Sequence, residues 1–230
     1  MSAPVLDYIL FDFDGTLVDS VPDVCHGLNK ALARIDRAPR TVEQVKSWVG
    51  KGARDLVVSA LELSGGVLSD CETDAVCKDF LEAYAAEPII DSVIFPGAVE
   101  MLETLQAQGK TLGICTNKPS LTAAPVMQAL DLEKYFPVVL CGDQVIHKKP
   151  DARHVLDCVT AMGGTPERAV LVGDSENDAY AARNAGIAYV MVSFGYCHEP
   201  MDSLPMDVLI DHLSDLPDTI ARMSRKLGAA

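Results

Sequence analysis

The stretch ILFDFDGTL, from Ile9 to Leu17, decides how the rest of the chain is interpreted. An apolar run is followed here by two aspartates, Asp12 and Asp14, and then by a glycine suited to a turn. Because side chains alternate along an extended chain, the two carboxylates should point to the same side. Two like charges at the end of a buried strand need a cationic partner. The stretch therefore predicts a divalent metal ion at the carboxyl end of a parallel strand, where open α/β sheets bind their ligands.

The same residues resemble a known family motif. Asp12-Phe13-Asp14-Gly15-Thr16 is similar to DxDGT, the first motif of the haloacid dehalogenase superfamily of phosphotransferases. The dehalogenases that give the superfamily its name lack an acid at the second position. Asp14 therefore favours phosphoryl transfer over dehalogenation.

Composition limits the class of protein. The chain has 230 residues, of which 49% are hydrophobic and 23% are charged, as is typical of a globular protein with a substantial core. A net charge of -14 argues against a nucleic-acid or anionic-membrane partner. The apolar runs are shorter than the ~20 residues of a membrane span. The seven cysteines show no CxxC pair or zinc spacing, so we expect reduced thiols and a cytoplasmic location.

Strands and helices alternate over most of the chain. The predicted strands are 7–13, 111–115, 138–140, 169–172, 187–192 and 208–210. Residues 20–87 are helical only, with predicted helices at 24–35, 42–48, 56–63 and 76–84. This order predicts an α/β fold, a doubly wound parallel sheet with a Rossmann-like core, and an inserted all-helical cap domain. We assign residues 1–19 and 88–230 to the core and residues 20–87 to the cap.

Polar side chains follow four segments that end on the same edge of such a sheet. They are Asp12 and Asp14, Thr116-Asn117, Lys148-Lys149-Pro150, and Asp174 with Asp178. Because the carboxyl ends of the strands in a doubly wound sheet face one crevice, these residues can converge although they are distant in sequence.

Two of these segments resemble the second and third motifs of the superfamily. Thr116 closes an apolar strand, and its hydroxyl and neighbouring N–H groups can bind a phosphoryl oxygen or, alternatively, cap a helix. Lys149 resembles the lysine of KPxP, with Ala152 where the second proline is common. Its ammonium would offset the charge of the nucleophile and hold the phosphoryl group. Lys148 is the competing lysine, but the family lysine directly precedes the proline, which favours Lys149.

Residues 173–178, with the sequence GDSEND, resemble the fourth motif, GDxxxD. Asp174 follows four apolar residues and is suited to metal ligation. Asp178 has two interpretations, a role beside the metal or a helix-capping box with Ser175, and one side chain could do both.

The expected cofactor is Mg²⁺, because the candidate ligands are all oxygens and include no His or Cys. The resemblance implies that the side chain of Asp12, the backbone carbonyl of Asp14 and the side chain of Asp174 are ligands, with Asp178 as a further candidate. The carboxylate of Asp14 then remains available as an acid and base.

The candidate substrate-binding residues lie in both parts of the chain. On the core they are Gly15, Thr116, Asn117 and Lys149. The cap loop 50–54, with the sequence GKGAR, could bring Lys51 or Arg54 to a second anionic group of the substrate, or it could be a solvated turn. None of the histidines pairs with a Ser or Cys as a hydrolase triad would require, although His147 and His198 could line the cleft.

Three shorter segments narrow the resemblance. Residues 95–97, 116–119 and 172–175 are similar to phosphoglycolate phosphatases, members of the superfamily with a small helical cap. The resemblance implies a Mg²⁺-dependent, two-step hydrolysis of a small anionic phosphate ester, with 2-phosphoglycolate as the first choice. In this mechanism Asp12 is the nucleophile, and Asp14 is first the acid and then the base. Lys149 and Thr116 stabilise the phosphoryl oxygens.

Four alternatives remain at this point. The substrate could be a sugar phosphate or pyrophosphate, the enzyme could be a mutase similar to β-phosphoglucomutase, or the protein could be an inactive binding module. The protein is expected to be a monomer or a homodimer.

Overall fold

A six-stranded parallel sheet forms the centre of the protein in a computed structural model that describes residues 5–227. The strands in chain order are β1 (Tyr8–Phe11), β2 (Val18–Asp19), β3 (Val93–Ile94), β4 (Thr111–Thr116), β5 (Val138–Cys141), β6 (Ala169–Gly173), β7 (Ala188–Val192) and β8 (Val208–Ile210). The sheet has the order β5-β4-β1-β6-β7-β8, and β2 pairs separately with β3. The predicted α/β fold class is therefore confirmed.

Helices cover both faces of this sheet. They are α1 (Val21–Ala33), α2 (Val42–Lys46), α3 (Ala53–Glu62), α4 (Asp70–Ala86), α5 (Ala98–Ala107), α6 (Ser120–Ala129), α7 (Ala152–Ala161), α8 (Glu176–Ala185) and α9 (Leu216–Leu227). In the central strand β1, Ile9 and Phe11 pack with α5 and α9, whereas Leu10 packs on the opposite face with α7 and α8. This alternation is that of a strand buried on both faces, which explains its continuous apolar sequence.

The helical segment departs from the prediction mainly at its helix starts. Helix α4 begins at Asp70, six residues before the predicted start at residue 76. The hydroxyl of Ser69 accepts a hydrogen bond from the N–H of Glu72, and the Glu72 carboxylate accepts one from the N–H of Ser69. This capping box starts the helix at polar residues, where an apolar period gives no signal.

A two-stranded antiparallel ribbon, β2 with β3, joins the helical segment to the sheet and was absent from the prediction. Each strand has two residues, which is too short for an alternating pattern to be visible. Next to the ribbon, the buried carboxylate of Asp23 accepts hydrogen bonds from the N–H groups of Ile90, Asp91 and Ser92 at 2.9 to 3.0 Å. These hydrogen bonds therefore hold the start and the end of the helical segment next to each other.

Helices α1 to α4, which we call the cap helices, occupy the segment predicted to be a cap. Helices α1 and α4 cross closely, since a Cβ at Gly27 would lie 2.9 Å from the Cβ of Tyr84. Among the described residues, no strand lies between β2 and β3. The division into a core domain and a separate cap domain stays a prediction. None of the described helices is both long and apolar enough to cross a membrane.

Candidate active site

Three buried carboxylates meet at the carboxyl ends of β1 and β6. Asp12 follows β1, Asp174 follows β6, and Asp178 lies in the first turn of α8. One oxygen from each of the three lies within 4.8 Å of the others. The strands β1 and β6 are hydrogen-bonded neighbours, and only two residues separate β6 from α8, which is why these acids converge. The arrangement fits an oxygen-ligated cation, which would relieve the repulsion between them.

Asp174 is held in place by donors at both oxygens. The hydroxyl of Thr16 donates to Oδ1 at 2.9 Å, and the N–H of Tyr196 donates to Oδ2 at 2.6 Å. Even so, burial raises the pKa of Asp174 well above its ordinary value, and the charges of Asp178 and Asp12 raise it further. Around Asp174, the cluster therefore lacks a positive charge that would offset the carboxylates. Neither Thr16 nor Tyr196 was predicted to have a role, although Thr16 is part of the first motif.

Lys149 supplies positive charge on the other side of the cluster. Its Nζ lies 2.6 Å from Oδ1 of Asp178 and 2.9 Å from Oδ1 of Asp12, and its side chain is 1% exposed. Burial alone would lower the pKa of Lys149, but the charges of Asp12 and Asp178 outweigh it and raise that pKa. Lys149 is therefore a fixed ammonium ion. The competing Lys148 is exposed, and its Nζ would lie 3.4 Å from a Cβ at Gly52 in the cap loop.

Oδ1 of Asp12 is close to Lys149 but makes no hydrogen bond with it. The distance of Nζ of Lys149 from this oxygen is that of an ion pair. The oxygen is nevertheless buried and has no hydrogen-bond partner. The two observations agree if the ammonium attracts the carboxylate without pointing an N–H at it. A buried oxygen without a donor is available to a cation or to an electrophile.

Asp178 combines the two interpretations that its sequence allowed. Its Oδ2 accepts hydrogen bonds from the N–H of Ser175 at 3.2 Å and from the Ser175 hydroxyl at 2.7 Å, as in a capping box. Its Oδ1 binds Lys149. A metal-side role for Asp178 stays a prediction.

Asp14 lies beside the cluster and contacts a second buried ammonium, that of Lys118. Nζ of Lys118 is 2.9 and 3.0 Å from the two carboxylate oxygens of Asp14, and it also donates to the hydroxyl of Tyr84 at 3.0 Å. The Ser20 hydroxyl donates to Asp14 as well. Lys118 belongs to segment 116–119 but was not predicted to have a role. Its position directly after Thr116-Asn117 at a strand end was the available signal.

Asn117 connects the core to the cap loop. Its Nδ2 donates to the carbonyl oxygens of Gly50 and Lys149, both at 2.9 Å, and its Oδ1 accepts from the N–H of Lys149 at 3.0 Å. Its amide is thus engaged within the protein. Thr116 lies at the end of β4, and its hydroxyl oxygen accepts from the N–H of Lys118 at 3.2 Å. Substrate-binding roles for Asn117 and Thr116 stay predictions.

The backbone at position 15 passes so close to Asp174 that a glycine is required there. Its φ is +86°, and a Cβ there would lie 2.5 Å from Oδ2 of Asp174. A side chain would therefore combine backbone strain with a clash. Its N–H donates to the carbonyl of Val18. The predicted substrate contact of Gly15 is untested.

The two cap cations predicted to reach the substrate lie elsewhere. Arg54 is 48% exposed and forms ion pairs with Asp70 at 2.6 Å and Asp74 at 3.0 Å, at the start of α4. Lys51 is exposed. Neither side chain lines the cavity described next, so their substrate roles have no support from their positions and remain predictions.

A cavity of about 60 Å³ separates the strand ends from the cap helices. One side, the core wall, consists of Asp12, Asp14, Thr116, Asn117, Lys118, Pro119 and Thr122. The other side, the cap wall, consists of Val24, Val49, Gly50, Gly52, Ala53, Leu56, Phe80, Leu81 and Tyr84. Asp12 and Asp14 therefore face a small cavity that is polar on one side and mainly apolar on the other.

Comparison with known families agrees with this geometry. The sequence model of the haloacid dehalogenase-like hydrolase family matches residues 9–192 of this chain, which include all three acids of the cluster. The chain belongs to this family. The expected membership is therefore confirmed.

Relatives within the family cover nearly the entire chain. A phosphoglycolate phosphatase of Agrobacterium fabrum is 38% identical over 229 residues, which cover 100% of this chain and 98% of that relative. A phosphoglycolate phosphatase of Caulobacter vibrioides is 41% identical, covering 91% of this chain and 88% of the relative. The crystal structure of a predicted phosphoglycolate phosphatase from Haemophilus somnus is 30% identical, with a TM-score of 0.87 and coverage of 93% and 97%.

Proposed function

We propose that this haloacid dehalogenase-like hydrolase is a phosphatase that converts 2-phosphoglycolate to glycolate and phosphate. The observation that carries the proposal is Asp12, whose buried Oδ1 has no hydrogen-bond donor and lies 2.9 Å from the ammonium of Lys149, on the wall of a small cavity. Such an oxygen is suited to attack phosphorus. The similarity to phosphoglycolate phosphatases at 38% and 41% identity supports the choice of substrate.

The cofactor in this proposal is Mg²⁺. The carboxylates of Asp12 and Asp174 and the backbone carbonyl of Asp14 would hold it, with Asp178 behind them. This donor set fits, because it is made of oxygens only and because burial and neighbouring charge leave Asp174 short of positive charge. When bound, the ion supplies charge that neutralises the acids and the phosphoryl oxygens.

In the first step, Asp12 attacks phosphorus in line and the bond between phosphorus and the glycolate oxygen breaks. Asp14 gives its proton to that oxygen, so glycolate leaves as an alcohol and an aspartyl-phosphate remains. Lys149, with the hydroxyl of Thr116, stabilises the charge on the transferring group.

In the second step, Asp14 takes a proton from a water molecule that attacks the same phosphorus. The acyl phosphate bond breaks, which frees inorganic phosphate and regenerates the Asp12 carboxylate. Asp14 is protonated again and ready for another cycle.

Phosphate release from a panel of small phosphate esters, with Mg²⁺ or with EDTA, tests this proposal. We expect Mg²⁺-dependent release that is fastest for 2-phosphoglycolate, and an acid-stable phosphate on the peptide containing Asp12 in quenched samples. Isomerisation of a sugar phosphate that requires a bisphosphate activator, without net release of inorganic phosphate, would indicate a mutase instead. Binding of the esters without any release would indicate an inactive binding module.

A further inference from the structure

One buried lysine in the cavity has no part in the proposed phosphoryl chemistry. Among the described residues that line the cavity, Lys118 is the only one with a positive charge, and its side chain is 3% exposed. Its Nζ binds both oxygens of Asp14 and the hydroxyl of Tyr84, on opposite walls of the cavity. It therefore lies at the point where the core wall meets the cap wall.

The ammonium of Lys118 lies in mainly apolar surroundings on its cap side. The Tyr84 ring covers the ammonium, with its centroid 4.5 Å from Nζ, and the cap wall beyond it is mainly apolar. A buried ammonium in such surroundings requires a carboxylate or another anion beside it. In the structure, Asp14 is that anion.

Asp14 must also reach the ester oxygen of the substrate. In 2-phosphoglycolate only a methylene group separates that oxygen from the carboxylate. Because Nζ of Lys118 lies within 3.0 Å of both Asp14 oxygens, a leaving-group oxygen in contact with Asp14 brings the substrate carboxylate within reach of Lys118. The cap cations Lys51 and Arg54, which do not line the cavity, are not placed to do this.

We infer that Lys118 binds the carboxylate of the leaving group and thereby selects short phosphate esters that carry a carboxylate next to the ester carbon. The inference rests on the proposed phosphatase function and adds the residue that recognises the substrate. Tyr84 from helix α4 positions the ammonium by accepting one of its hydrogen bonds.

Two matched substrates separate carboxylate recognition from catalysis. Ethyl phosphate has a methyl group where 2-phosphoglycolate has its carboxylate, and both esters need the same acid catalysis. We expect Lys118→Met to lower the ratio of kcat/KM for 2-phosphoglycolate over ethyl phosphate by on the order of 10- to 100-fold, the range for hydrogen bonds to charged groups. Any loss that acts through Asp14 affects both esters and cancels in the ratio. An unchanged ratio would overturn the inference.

A binding measurement checks the same point without turnover. With Mg²⁺ present, calorimetry compares 3-phosphonopropionate with propylphosphonate, which are non-hydrolysable counterparts of the two esters. The wild-type protein should prefer the carboxylated compound, Lys118→Met should lose this preference, and Lys118→Arg should retain part of it. Tyr84→Phe keeps the charge and should reduce the preference less than Lys118→Met does.

The outcomes distinguish this inference from the proposed function. If Lys118→Met does not fold, the wild-type protein and Lys118→Arg still decide, since equal wild-type affinity for the two phosphonates would contradict the inference. If the wild-type enzyme hydrolyses 2-phosphoglycolate and Lys118→Met keeps its preference, only the inference fails. If the wild-type enzyme hydrolyses other esters but not 2-phosphoglycolate, the proposed function itself is wrong.

Discussion

The core wall and the cap wall of the cavity differ in how their side chains are held. On the core wall, the buried Lys118 binds Asp14 and Tyr84, and the buried Asn117 binds the backbone carbonyl groups of Gly50 and Lys149. On the cap side, Leu56 and Phe80 present hydrocarbon, while Arg54 is paired with acids of α4 outside the cavity. In the proposed function the core wall supplies the reacting groups, and the mainly apolar cap wall lies opposite them. The predictions below test this division.

The largest effect is expected at the nucleophile. Asp12→Asn should lower kcat for 2-phosphoglycolate by on the order of 10⁴-fold or more, because an amide cannot replace the attacking carboxylate. Phosphate release at saturating Mg²⁺ measures it. Asp131→Asn is the matched control, since Asp131 is an exposed acid with a φ of 55° that asparagine also adopts. Near-native release by Asp12→Asn would exclude Asp12 as the nucleophile.

The two walls also differ in how far the sequence predicted them. On the core side, apolar runs located the strands, and family motifs at the strand ends named the residues that converge. Lys118 lies beyond the end of β4, where the chain turns and strand alternation no longer predicts a direction. Its contact with Tyr84 depends on how α4 packs, 34 residues away in the chain.

On the cap side the sequence was less informative, for a physical reason. Lys51 and Arg54 are flanked by glycine and helix residues that suit either a substrate loop or a solvated turn. Arg54 turns outward because α4 starts early enough to place Asp70 and Asp74 beside it, and that start depends on polar capping residues. The direction of a long charged side chain was therefore set by tertiary packing.

The next largest effect concerns the stability of the carboxylate cluster to which Asp12 of the core wall belongs. Lys149→Met removes the ammonium between Asp12 and Asp178 and leaves two buried carboxylates without it. We expect the free energy of unfolding of the metal-free protein to fall by about 3 kcal/mol, as when one partner of a buried ion pair is lost. Urea denaturation in EDTA measures it. The exposed neighbour provides the control, because Lys148→Met should change stability far less. Equal losses of stability in Lys149→Met and Lys148→Met would mean that the buried ion pairs contribute nothing to the free energy of unfolding.

A smaller effect of opposite sign is expected at Asp174. Burial and the charges of Asp178 and Asp12 raise its pKa, so its charge opposes folding when no metal is bound. Asp174→Asn keeps the shape, and its amide can donate to the Thr16 hydroxyl while its oxygen accepts from Tyr196. The metal-free variant should be about 1 kcal/mol more stable than the wild type, yet Mg²⁺ should stabilise it less. Thermal unfolding in EDTA and in Mg²⁺ measures both effects. A metal-free variant less stable than the wild type would contradict the inference that the charge of Asp174 opposes folding.

A histidine outside the cavity also connects the cap helices to the core, since it contacts both α2 and α8. Nδ1 of His198 lies 3.1 Å from the Glu176 carboxylate at the start of α8, and Nε2 lies 3.1 Å from the carbonyl oxygen of Lys46 in α2. Since both ring nitrogens face acceptors, only the protonated imidazole can donate to both. The hydrogen bond to Glu176 raises the pKa of His198, burial and the charge of Lys51 oppose this, and the pKa of Glu176 is lowered to about 2.

The sign of the resulting pH effect follows from the raised pKa of His198. Its contribution to stability is complete below the unfolded-state pKa of 6.5 and disappears as the pH rises through the higher folded-state value. His198→Gln should therefore destabilise the protein by less than about 1 kcal/mol near pH 6 and by almost nothing near pH 9, because the pair is partly solvated. Urea denaturation at both pH values measures this, with the exposed His212→Gln as the control. A loss that grows toward pH 9 would mean that neutral His198 makes the contact, and helix α2 would then be joined to α8 without a charge.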